Sequence, residues 1–169
     1  MLLVFCLLFV LLLFLHVLLY LFLFLFCALM VFVVLPVIQI IKTQKRKNRL
    51  KGIVSGAKTL TPKQFFTLRQ SYHGRMTNLE FEGVYIIYNL DKKMYYVGQS
   101  VHVPSRVNAH FTGKGNGDVY ADYKYGDRFE IRMVKLRGSG YNRLDDLERE
   151  LIDMYHCCEK GYNRKKGNR

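Results

Sequence analysis

The chain has 169 residues, with 26 Lys and Arg against 13 Asp and Glu and a formal net charge of +13, yet Met1 to Ile41 contains no Lys, Arg, Asp or Glu. The averaged composition thus hides two chemically different pieces, and every charge lies between Lys42 and Arg169, a stretch long enough for one compact domain with its own core. A tetrahedral zinc framework is excluded, because Cys6 and Cys27 sit in the apolar run while Cys157 and Cys158 are adjacent, without CxxC spacing. Reduced, partly buried thiols on a helix are expected at Cys157 and Cys158.

In chain order, Leu2 to Ile41 far exceeds the roughly 20 apolar residues that cross a hydrocarbon core about 30 Å thick. A helix from Leu2 to Val34 would be about 50 Å long, so it must tilt or protrude. One pass is expected, since the only interruptions, His16, Tyr20 and Pro36, do not make a hairpin turn. The run also lacks the basic start, short apolar centre and small-residue cleavage site of a secretory signal. Lys42, Lys45, Arg46, Lys47, Arg49 and Lys51 follow it directly, and such cations are retained on the cytoplasmic side. Residues 1–41 are therefore expected to be a single-pass transmembrane segment that anchors a cytoplasmic domain to membrane lipid. The competing reading starts the working protein at Met30 or later.

Residues 42–60 read as a basic linker, mobile or lying on the membrane surface, because Gly52 and Gly56 interrupt it and no apolar period is sustained. Residues 61–81 hold a short helix and a lead-in. Thr61 is an N-cap, Pro62 suits the first helical position, and Gln64 completes a capping box. That helix should reach about Tyr72, with Phe65, Leu68 and Tyr72 on one face.

Residues 82–169 form the main domain. Gly83 to Tyr88 and Met94 to Val97 are predicted strands, joined by a turn at Asn89 to Lys93 into an antiparallel hairpin. A helix follows from Pro104 to Phe111, then a loop at Gly113 to Gly117 and a short helix from Val119 to Tyr125. Arg128 to Leu136 alternates apolar and charged residues as a third strand. Leu144, Leu147, Leu151 and Met154 recur at helical spacing, so one helix from Arg143 to Cys158 should cover the sheet and end at Gly161. The class is α+β: a small antiparallel three-stranded sheet flanked by helices, preceded by the transmembrane helix.

Along this order stand Gly83-Val84-Tyr85, Tyr96-Val97-Gly98, Ser100, Arg106, His110, Glu148 and Asn163. From Glu82 to Asn163 the chain resembles the GIY-YIG nuclease family, with Val in place of Ile in both triplets. The resemblance implies an endonuclease that hydrolyses DNA phosphodiester bonds, with Tyr85, Tyr96, Arg106, His110, Glu148 and Asn163 as catalytic residues and a metal-binding role for Glu148. Phosphodiester cleavage needs a deprotonated water, a cation on the phosphoryl oxygens and a group to hold the developing charge. Arg106 and His110, four apart on one helix, project from the same side and can form a small cationic patch. Tyr85 is assigned the base, assisted by His110, although phenol with a pKa of about 10 needs a metal or Arg nearby to act as one. Tyr96 would orient the water. Glu148 would bind a single Mg²⁺ or similar divalent cation that keeps several waters. Its competitor Glu150 lies about 200° round the same helix.

Arg106, Lys114, Arg164, Lys165 and Lys166 supply a basic surface for DNA, but charge alone does not choose between DNA and an anionic leaflet. The alternative function is a catalytically inactive nucleic-acid-binding or membrane-surface adaptor that retains the fold. Whether Tyr85 and Tyr96 face the same side of the sheet depends on the hairpin register, which the sequence leaves open.

Overall fold

The computed structural model describes residues 2–72, 79–165 and 167. The chain divides into two compact units, Met1–Arg46 and Lys47–Arg169.

The first unit is helical. Helix α1 (Leu2–Leu29) passes through a π-helical segment, Met30–Val34, into helix α2 (Leu35–Gly56). Uninterrupted Leu and Phe with no charge sustain α1, and the wide turn lies immediately before Pro36, whose missing N–H removes a rung from the ladder. By length and composition the run is long and apolar enough to cross a membrane, and its most apolar stretch is entirely unburied.

Lys42 to Gly56, within the stretch expected to be a basic linker, is helical throughout, and from Lys47 onward it belongs to the second unit. Leu50 and Val54 are 0% and 1% exposed and belong to the domain core, with Ile53 and Ala57 packed beside them. These four positions follow the i, i+3, i+4, i+7 spacing of a buried helical stripe, masked in the sequence by the surrounding Lys and Arg. Lys47 adds an ion pair to Glu150 at 3.0 Å. Helix α3 (Pro62–Ser71) has the expected capping box, with Thr61 and Gln64 exchanging hydrogen bonds at their backbone amides. Phe65 is fully buried and Leu68 packs against it, whereas Tyr72 is exposed.

Strands β1 (Gly83–Asn89), β2 (Met94–Ser100) and β3 (Phe129–Lys135) make the expected three-stranded antiparallel sheet in the order β2-β1-β3. Strand alternation sorts the core in two. Val84, Ile86, Val97 and Val134 face α2 and helix α6 (Leu144–Met154). Tyr85, Ile87, Ile131 and Phe129 face α3, helix α4 (Val103–Phe111) and helix α5 (Gly117–Lys124). Helices therefore flank both faces, as an α+β fold requires.

The predicted single C-terminal helix is instead two. Helix α6 ends at Met154, His156 adopts a left-handed conformation (φ 51°), and helix α7 (Cys157–Lys160) follows. The break turns Cys157 into the core, where burial pushes its thiol pKa up to about 12 and keeps it protonated and unreactive.

Candidate functional site

The hairpin register answers the question left open by the sequence. Tyr85 lies opposite Gly98 and Ile87 opposite Tyr96, and directly opposed residues share a face. Tyr85 and Tyr96 therefore project from the same side, with ring centroids 6.1 Å apart. The two triplet glycines make this possible by close approach. A Cβ at Gly98 would collide with the Tyr85 hydroxyl, and one at Gly83 would collide with the Val134 carbonyl of the neighbouring strand.

Helix α4 brings His110 beneath the pair. Its Nε2 lies 2.9 Å from the Tyr85 hydroxyl oxygen, and its Nδ1 accepts the Asn116 backbone N–H at 2.8 Å. Backbone N–H can only donate, so in the neutral ring the proton sits on Nε2 and is donated to Tyr85. The ring is neutral because burial, reinforced by the Arg106 guanidinium, lowers its pKa to about 4. His110 thus cannot accept the Tyr85 proton in this tautomer; it assists by donating to the oxygen, an arrangement that favours phenolate. Against it, burial and then the neighbouring Tyr96 push the Tyr85 pKa well above the ordinary phenol value, while Arg106 opposes them. Tyr85 is poised to lose its proton only when further positive charge enters the site.

Tyr85, Tyr96, Gly98, Gln99, Arg106, Asn116, Glu148, Tyr162, Asn163, Arg164, Lys165 and Gly167 line a polar cleft of about 320 Å³. At about 30 Å³ per water, it can take a phosphodiester group with several waters. The buried carboxylate of Glu148 comes from α6, beside the edge strand β2, and accepts a hydrogen bond from Gln99 Nε2 at 3.1 Å. The same Gln99 nitrogen donates to Asp145 at 2.6 Å, which with Arg143 holds that carboxyl below its usual range. Glu150 is absent from the cleft and pairs with Lys47.

Asn163 reaches the site differently. Its Oδ1 accepts the Val97 N–H at 2.9 Å and its Nδ2 donates to the Val97 carbonyl at 2.7 Å, so the side chain clasps the backbone of β2 as a neighbouring strand would. The Tyr162 N–H donates to the Tyr95 carbonyl beside it. This clasp fixes the segment that carries Arg164 and Lys165 against the cleft. Arg164 also pairs with Asp118 at 3.2 Å. Lys114 is exposed outside the cleft lining, and Lys166 lies outside the described residues. Ser100 turns the chain into α4 by accepting the His102 N–H.

Sequence reasoning missed Gln99, Asn116 and Tyr162 as cleft residues, because each depends on a partner distant in the chain. It also missed Asn89, fully buried, whose Nδ2 donates to Asp127 and to Tyr162 while its Oδ1 accepts two amides of the hairpin turn. An Asn opening a tight turn was the available signal.

Among the described residues no group of three His, Cys, Asp or Glu forms a metal cage. Glu148 is the carboxylate in the cleft lining that could hold a divalent cation, together with water and phosphate oxygens. Residues 81–163 match the family model described as the GIY-YIG catalytic domain. No curated protein and no solved structure matches the chain.

Proposed function

We propose, on the match of residues 81–163 to the GIY-YIG catalytic domain, a family description that points to nuclease activity, that this chain is a metal-dependent endonuclease that hydrolyses DNA phosphodiester bonds and is tethered to a membrane by its first forty or so residues. The observation that carries the proposal is the convergence of Tyr85, Tyr96, Arg106 and Glu148 on one polar cleft, with His110 donating to the Tyr85 oxygen.

Each side chain then has one task. Arg106, with Arg164 and Lys165 at the rim, grips the phosphate and holds charge that develops on it. Tyr85, once its own proton has passed to solvent water in the cleft, takes the proton of the attacking water as a phenolate stabilised by His110 and Arg106. Tyr96, half-buried beside it, orients that water. Glu148 holds a divalent cation, which supplies Lewis acidity at the phosphoryl oxygens. Asn163 is a positioning residue, since both polar atoms of its side chain are engaged by Val97. The apolar helix supports a membrane tether, and the cations from Lys42 to Lys51 support a cytoplasmic domain.

Full-length protein in detergent should nick supercoiled plasmid with Mg²⁺ and cease with EDTA. Cleavage undiminished by EDTA would remove the metal from the proposal, and no cleavage with any divalent cation would overturn the nuclease reading. The tether requires that the chain stay with membranes through carbonate extraction, which releases electrostatically attached protein.

A further inference from the structure

Gln99 stands between two carboxylates that the sequence places far from it. A single amide nitrogen donates to Asp145 Oδ1 at 2.6 Å and to Glu148 Oε2 at 3.1 Å. On the edge strand β2, Gln99 follows Gly98 and so faces the opposite side from Tyr85 and Tyr96, toward α6. Asp145 and Glu148 lie three apart on that helix, one turn along the same side. The assignment of nitrogen rather than oxygen to this position follows from chemistry, since the amide oxygen would repel both carboxylates.

We infer that Gln99 is a positioning residue for the metal-binding carboxylate: Asp145 locks the Gln99 amide, and the amide fixes the plane of the Glu148 carboxylate where it lines the cleft. This rests on the metal reading of Glu148. Asp145 acts here as a hydrogen-bond acceptor and not as a ligand. Groups that orient a metal-binding side chain in this way typically contribute 10–100-fold to metal affinity.

The test is Mn²⁺ binding, read by EPR on full-length protein in detergent, with thermal unfolding measured alongside. Gln99→Met, which keeps length and removes both donated bonds, should weaken Mn²⁺ binding by roughly 10–100-fold and raise the Mg²⁺ needed for half-maximal cleavage in parallel. Asp145→Asn retains an acceptor for Gln99 and should bind Mn²⁺ like the parent, whereas Asp145→Ala should weaken it. A folding defect would instead lower the melting temperature without this split, and a purely electrostatic role would weaken both Asp145 variants alike; either pattern overturns the inference. Parent-like affinity in Gln99→Met, with Glu148→Gln weakened, sinks the inference and leaves the metal reading intact. Parent-like affinity in Glu148→Gln removes both.

Discussion

On one face of the sheet Val84, Ile86, Val97 and Val134 meet Leu50, Val54, Leu147 and Leu151 in an apolar layer; on the other, Tyr85 and Tyr96 share the layer with His110 and its Arg106 neighbour. The same three strands build both, because successive residues point to opposite faces. Tyr85 is flanked by Val84 and Ile86 and Tyr96 by Tyr95 and Val97, so each of the two tyrosines is held by two residues of packing on the far side. The division predicts that substitutions on the first face change stability and those on the second change activity. Glu148 crosses the division: it rides on α6, on the apolar face, and reaches the cleft at the edge strand.

The largest effect should come from the chemical face. Tyr85→Phe removes one oxygen from a buried ring and should lower cleavage roughly 100- to 10,000-fold, the range of a lost general base, with DNA affinity and melting temperature near those of the parent. Equal losses of stability and activity would mean that Tyr85 is packing alone.

On the opposite face Leu50→Ala should destabilise by about 2–5 kcal/mol, measured by urea unfolding, while cleavage per folded molecule stays constant. Little loss of stability would return residues 47–57 to the status of a linker.

A pH experiment sharpens the contrast further. His110 is buried and neutral, with a pKa of about 4, against about 6.5 when unfolded. Between these values the unfolded chain binds a proton that the folded chain does not, so stability rises with pH across this window and is lost as pH falls from 6.5 toward 4. The contribution between pH 7 and pH 5 is roughly 2 kcal/mol, and His110→Gln should shrink the parent's pH dependence by that amount. An unchanged slope would place the His110 pKa near its ordinary value.

Similar to this in stability is the clasp. Asn163→Ala leaves the Val97 amide and carbonyl without their side-chain partner and should cost about 1–3 kcal/mol. Cleavage should fall with it, because Arg164 and Lys165 lose their anchorage. Unaltered cleavage would detach the C-terminal segment from the site.

The sequence made the site partly legible because much of its information is local. Tyr85 and Tyr96 occupy hairpin strands readable by alternation, and Arg106 and His110 share a helix face by spacing alone. The side on which both tyrosines lie depends on register, and only the pairing of Ile87 with Tyr96 resolves it. Gln99, Asn116 and Tyr162 gain their roles from partners between 6 and 73 residues away. The helical stripe of Leu50, Ile53, Val54 and Ala57 went unread because charge density suggested solvent, although long Lys and Arg side chains routinely flank a buried stripe. The break in the last helix turns on one left-handed residue, His156, which no periodicity announces.

The central claim, that Glu148 brings metal chemistry from the packing face into the tyrosine cleft, is tested most directly by plasmid cleavage at fixed Mg²⁺ with two full-length variants in parallel. Glu148→Gln keeps shape but removes the charge that holds the cation, and it should lose on the order of 1,000-fold or more in rate, equivalent to roughly 4 kcal/mol of transition-state stabilisation. Glu150→Gln, whose carboxylate pairs with Lys47 outside the cleft, should cut within about twofold of the parent per folded molecule, since that ion pair contributes to stability, on the order of 1 kcal/mol, and not to the chemical step. Equal cleavage by both variants, or a loss confined to Glu150→Gln, would contradict the account.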